Sequence, residues 1–252
     1  MPVSLQAAFW GLLSGSALIV GAAVAWFVRL EQRLIAGIMA FGAGVLISAL
    51  SFELMNQAWK RGGFAPAAGG FLGGAIVYSV LNFIVSQHGA KHRKRSNAGA
   101  RNKDKEKNPA NGMALAIGAL LDGIPESIVI GVSLLQGGAV GMVAVIAVFL
   151  SNIPEGLSSA AGMKKEGRSA SFVFLLWTAV TAVSGLAAWL GYVALAGTGP
   201  GMIAAVQAIA AGAMLAMIVD TMVPEAFEGT HDYAGLITVV GFLCAFALSK
   251  LD

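Results

Sequence analysis

Eight apolar stretches follow one another along the chain, at 7–28, 35–59, 64–87, 112–135, 138–161, 170–196, 201–223 and 233–251. A helix needs roughly 20 apolar residues to cross the hydrocarbon core of a bilayer. The pattern therefore predicts eight transmembrane helices and an all-α polytopic membrane protein. Most connections are short. The exception is 88–111, which is polar, basic and without hydrophobic periodicity, and is expected to be a disordered loop. No hydrophilic segment is long enough to bury a core of its own, so residues 1–252 read as a single transmembrane domain. The first apolar run follows Met1-Pro2-Val3-Ser4-Leu5-Gln6, which lacks a basic residue, and reads as a retained span rather than a cleaved signal.

Charged residues make up only 12% of the chain, against about a quarter in soluble domains, which excludes a soluble fold. The net charge of +3 does not point to nucleic acid, because the basic residues sort by topology. With the N-terminus outside, the inner loops hold Arg29, Arg33, the cluster from Lys91 to Lys107, and Lys164, Lys165 and Arg168. Only Lys60, Arg61 and Lys250 are left outside. The positive-inside rule thus predicts that both termini face outward and that 88–111 is cytosolic. Its charge also suits attraction to anionic lipid. The single cysteine, Cys244, excludes an intrachain disulfide.

Two apolar runs carry a repeated polar motif. Leu121-Asp122-Gly123-Ile124-Pro125-Glu126-Ser127 aligns with Leu150-Ser151-Asn152-Ile153-Pro154-Glu155-Gly156, 29 residues later. No Lys or Arg lies between Asn108 and Gly162. A carboxylate in hydrocarbon is costly unless its charge is cancelled, and neither helix offers a basic partner. The missing partner is most simply a cation from outside. Asp122 and Glu126, four apart, share a helix face, as do Ser151, Asn152 and Glu155 at spacings of three and four. Consecutive spans run antiparallel, so the two motifs are expected to face one site. Each proline lacks an N–H and clashes with the carbonyl four residues back, which frees the carbonyls of Leu121 and Leu150 for a metal or its water. A pair of protonated acids in kinked helices is the alternative. Three acids on two helices with matched prolines favour a metal site of Asp122, Glu126 and Glu155, assisted by Ser151 and Asn152.

Other polar positions extend the stripe. Ser133, Ser158 and Ser159 suit a hydrated path and close helix packing equally well. Glu53 in the second span, Asp220 in the seventh and Glu225 at its end are candidate pathway residues that hand the cation to solvent. The group Glu228, His231 and Asp232 fits either that route or a wetted interface. His88 and His92 read as solvated histidines at a helix end rather than a metal-collecting pair. A fainter match, Gly44-Val-Leu-Ile-Ser-Ala with Gly212-Ala-Met-Leu-Ala-Met, suggests that spans 1–3 and 6–8 are inverted repeats around a central pair, a transporter pattern.

Eight spans, a long loop after the third and x-Pro-Glu-[Gly/Ser] motifs in spans 4 and 5 resemble the ZIP (Zrt/Irt-like) divalent-metal transporters over essentially the whole chain. The resemblance implies uptake of zinc, iron, manganese or a similar ion toward the cytosol by alternating access. It also implies a 3+2+3 helix arrangement, a homodimer, and residence in the plasma (bacterial inner) membrane. The divalent ion (Zn, Fe, Mn, or Cd as a mimic) is substrate, and no organic cofactor is implied. The family's span-4 motif usually reads His-Asn-x-Pro-Glu-Gly. Here Asp122 and Gly123 stand at the first two positions, which makes the ligand set harder and admits ions beyond zinc. An enzyme is not expected, since neither His-Glu-x-x-His nor paired Glu-x-x-His occurs. A non-transporting metal sensor or scaffold that retains the fold is the alternative reading.

Overall fold

The computed structural model describes residues 1–87, 109–136 and 140–250, nearly all of them helical and none in a strand. The helices are α1 (Val3–Phe27), α2 (Gln32–Ala49, continued through a π turn at Leu50–Met55 into Asn56–Gly62), α3 (Phe64–Val85) and α4 (Pro109–Ser133). They are followed by α5 (Met142–Lys165), α6 (Ala170–Leu195), α7 (Pro200–Met217, continued through a π turn at Ile218–Met222 into Val223–Thr230) and α8 (Ala234–Leu248).

Among the described residues seven helical runs are long and apolar enough to cross a membrane, not the eight expected. The difference lies at the C-terminal end, where α7 and α8 form one run, Pro200–Leu248, of 49 residues. A straight helix of that length would extend about 70 Å, more than twice the thickness of the hydrocarbon core. The run turns at His231, whose φ of 44° is the one positive value at a non-glycine among the described residues. A 3₁₀ turn at His231–Tyr233 follows, and α8 packs back against α2.

Boundaries also move by a few residues. α1 begins at Val3, α2 persists to Gly62 and α5 runs on to Lys165. Hydropathy marks where side chains turn polar, whereas a helix stops where its hydrogen-bond ladder stops. α4 starts at Pro109, inside the expected loop 88–111, with proline at the first helical position where its missing N–H costs nothing. The remainder of that loop, including His88, His92 and the cluster from Lys91 to Lys107, lies outside the described residues. So do Leu251 and Asp252. Gly63, with φ of 77°, makes the tight turn from α2 to α3. Ser169 caps α6 by accepting from the Phe172 N–H at 3.2 Å.

α5 is the most enclosed of these helices, with 72% of its apolar window buried, and α3 is the least, with 11%. Leu72, Ile76, Val80 and Phe83 of α3 therefore form an apolar outer face suited to lipid. Inside the bundle, glycines let backbones touch, as expected where no hydrophobic force separates helix from lipid. A Cβ on Gly44 of α2 would lie 1.9 Å from the Thr238 carbonyl oxygen of α8, and one on Gly241 of α8 would lie 2.1 Å from that of Phe41. α3 and α7 repeat the arrangement, with Gly74 against the Ile209 oxygen and Gly212 against the Phe71 oxygen, each at 1.9 Å. Gly44 and Gly212 each stand six residues ahead of their π turn. The reciprocal pattern occurs twice more, between α1 and α5 (Gly21 on Ile153, Gly156 on Leu18) and between α4 and α6 (Gly131 on Ala188, Gly191 on Ile128).

Candidate metal centre

The motif helices are held from outside rather than by each other. α4 packs mainly on α6 and α7, α5 mainly on α1 and α2, and direct contact between α4 and α5 is slight. The expected antiparallel pair is thus separated along much of its length, and other helices contribute walls to the space between. Pro154 sits against Gly42 of α2, where a Cβ would come within 2.8 Å of the proline ring. Gly42 therefore leaves the space that the Pro154 ring occupies.

Asp122 and Glu126 are each 1% exposed and Glu155 is 3% exposed. Asp122 and Glu155 face a common small cavity of about 10 Å³, walled on one side by Trp177 of α6, at the lower limit of what one water needs. Ser159 lines it as well. Glu126, one turn further along α4, is not among its walls. Among the described residues no three His, Cys, Asp or Glu side chains are gathered into a group that could hold a metal ion. Two of the three expected carboxylates therefore share a chamber here, and the third lies beside it.

The hydrogen bonds separate the remaining residues. The hydroxyl of Tyr78, a buried side chain of α3, donates to Asp122 Oδ1 at 2.7 Å. Asn152 and Ser151, expected to assist at the metal, are engaged with backbone. The Asn152 amide donates to the Ser14 carbonyl of α1 at 3.0 Å, and the Ser151 hydroxyl donates to Val148 of its own helix at 2.9 Å. Glu225 is buried and accepts a hydrogen bond from Ser158 Oγ at 2.9 Å, which ties α7 to α5 one turn beyond Glu155. Asp220 is exposed on the bundle surface and does not join this group. It lies in a π turn, and the extra residue there shifts the helix face, so spacing rules fail across it. Glu228, His231 and Asp232 are exposed too. Glu53 lies at the opposite end of the central pair from Glu225, near Ser133, where Gln57 Nε2 donates to it.

Three participants escaped sequence reasoning, which weighed charged residues and serines inside the spans. Tyr78, Gln57 and Gln207 are neutral. An amide or phenol in an otherwise apolar span was the available signal, since each needs a partner in hydrocarbon.

At the end where α5 meets the α1–α2 turn, Lys164 Nζ donates to the Trp26 carbonyl and lies 5.3 Å from the Trp26 ring centre, and Lys165 Nζ donates to Gln32 Oε1 at 3.0 Å. These cations fasten that end of α5 to the α1–α2 turn.

A family model described as ZIP Zinc transporter matches residues 80–249. No curated protein matches the chain.

Proposed function

The chain belongs to the ZIP zinc transporter family, which makes it a transmembrane metal-transport protein, and on that premise we propose how it carries its cargo. A divalent cation (zinc, iron, manganese or a similar ion) moves toward the cytosol by alternating access. Asp122, Glu126 and Glu155 hold it, and Asn152 and Ser151 supply neutral oxygens once the helices close around it. Glu225 and Ser158, with Ser159, form its route toward the Lys164 end, and Glu53 lies on the opposite side.

The observation that carries this reading is the near-complete burial of three carboxylates in two proline-containing helices without a lysine or arginine in either apolar stretch. Such a site is stable when a cation enters and costly when it leaves, which suits a binding step followed by a conformational one.

The fold supports the mechanism in a second way. In this reading Pro200–Leu248 crosses twice, with the turn at His231 between the crossings, and the positive-inside rule puts both termini outward. The reciprocal glycine contacts support the proposed 3+2+3 arrangement, in which α1–α3 and α6–α8 are inverted repeats suited to rocking about a central site. A homodimer in the plasma (bacterial inner) membrane completes the proposal.

The test is uptake into sealed proteoliposomes with Zn²⁺, Fe²⁺, Mn²⁺, Cd²⁺ and Mg²⁺, with Glu126→Ala in parallel. Saturable flux of at least one ion, lost in the variant, is the expected result. Folded protein that binds these ions without moving any of them would replace transport with a sensor or scaffold role.

A further inference from the structure

A second polar cavity lies beyond the carboxylates, at the end of α4 marked by Ser133. Its volume is about 150 Å³, room for several waters at about 30 Å³ each. Its polar wall comes from three helices: Glu53 and Gln57 of α2, Ser133 of α4 and Gln207 of α7. Leu54, Val129 and Ala144, all buried, form an apolar floor. Val129 is three residues past Glu126, about 4.5 Å along a helix axis. The cavity thus stops about one turn short of the central acids.

The hydrogen-bond directions in this wall are ordered. Gln207 Nε2 donates to Gln57 Oε1 at 2.9 Å, and Gln57 Nε2 donates to Glu53 Oε1. Ser133 Oγ receives the Gly141 N–H at 3.0 Å. One N–H of each amide thus points along the chain of bonds toward the carboxylate, which orients Glu53. Gln207 is 2% exposed, and its Oε1 is closed off from the cavity, so the residue acts on the wall through its hydrogen bond to Gln57.

We infer that this cavity is a second cation site, in which Glu53 and Ser133 Oγ, with Gln207 positioning Glu53 through Gln57, hold a partly hydrated divalent ion before it reaches Asp122, Glu126 and Glu155. One carboxylate and neutral oxygens make a hard, weakly charged donor set that keeps some of the ion's water, with dissociation constants on the order of 10⁻⁴ to 10⁻³ M. Its place on a transport path rests on the function proposed above; the binding itself does not. Helix α2 has a π turn at Leu50–Met55, and Glu53 sits in that turn. A site built on it would sense any change in the turn, because one inserted residue sets the direction in which Glu53 points.

Binding of Mn²⁺ to the chain in phosphatidylcholine nanodiscs, read from the loss of the free-ion paramagnetic resonance signal, tests the inference. With Asp122→Asn, Glu126→Gln and Glu155→Gln combined, one weak Mn²⁺ per chain is expected to persist. Adding Glu53→Gln should weaken it at least tenfold, and adding Gln207→Leu several-fold. In the otherwise unaltered chain Glu53→Gln should remove the weaker of two Mn²⁺ classes and leave the tighter one, which serves if the triple variant fails to fold. Mn²⁺ binding unchanged by both Glu53→Gln and Gln207→Leu would mean that the cavity holds only water, and would overturn the site. Failure of the transport reading is a separate result: Glu126→Ala would keep its flux, whatever Mn²⁺ does at Glu53.

Discussion

The two Pro-Glu motifs differ by few residues, and the fold uses them differently. In α4 the position three before the proline is Asp122, which takes a hydrogen bond from Tyr78 of another helix. The equivalent residue in α5 is Ser151, which bonds to its own helix. One position on, Gly123 has ordinary clearance, since a Cβ there would lie 3.7 Å from Ser184 and Val180 side chains. Its counterpart Asn152 is tied to the backbone of α1. At the last position Ser127 bonds back to Gly123, whereas a Cβ on Gly156 would come within 2.2 Å of the Leu18 oxygen. The α5 copy is therefore fastened to α1, and the α4 copy carries the extra charge and the looser packing. Any movement of α5 in the proposed cycle must take α1 with it.

The largest expected effect concerns what the copies share. Glu126→Gln and Glu155→Gln should each reduce metal uptake to the level of empty vesicles, with insertion into membranes unchanged. If only one glutamate mattered, the copies would not contribute to a single site.

The next test separates them by packing. Gly156→Ala should lower stability by about 1–3 kcal/mol, because the contact it meets is backbone and cannot rotate away. Gly123→Ala should change stability by less than about 1 kcal/mol, since its neighbours are side chains at van der Waals distance. Thermal unfolding in detergent compares the two, and equal losses would break the distinction between a fastened and a loose copy.

A smaller effect probes the charge. Tyr78→Phe removes the donor from Asp122. A hydrogen bond to a charged acceptor contributes about 1.5 kcal/mol, so metal that displaces the tyrosine should bind up to roughly tenfold more tightly in the variant. Isothermal titration with Zn²⁺ or Mn²⁺ measures this. Weaker binding would show that Tyr78 supports the occupied site instead of competing with the ion.

The smallest concerns the tie to α1. Asn152→Ala should cost about 1 kcal/mol of stability through the lost hydrogen bond to Ser14. Uptake is expected to fall less than in either glutamate variant. A loss as complete as that of Glu155→Gln would promote Asn152 to a principal ligand.

Much of this was legible in the chain. Apolar runs marked an all-helical membrane protein, and the absence of basic residues around Asp122, Glu126 and Glu155 marked those acids as unusual. The match between Gly44 and Gly212 looked faint, because apolar helices resemble one another in composition. It gains weight from contacts no sequence pattern displays, in which each glycine meets a carbonyl of a different helix at the same distance. The two C-terminal spans were expected as separate helices, and the run is instead continuous up to a turn at His231. Nothing in the residue types around His231 announces a positive φ there, as glycine would have done.

The sequence by itself determined the membrane location, the order of the apolar helices and the burial of carboxylates beside in-helix prolines. These follow from each residue's own transfer cost and from hydrogen bonds within its own helix. The tertiary structure alone decided which neighbour each polar group meets: Tyr78 for Asp122, Ser14 for Asn152, Ser158 for Glu225, and Gln57 with Gln207 around Glu53. Those pairings depend on how each helix is rotated against its neighbours. Rotation is set by glycine contacts and π turns between segments far apart in the chain, which local periodicity does not encode.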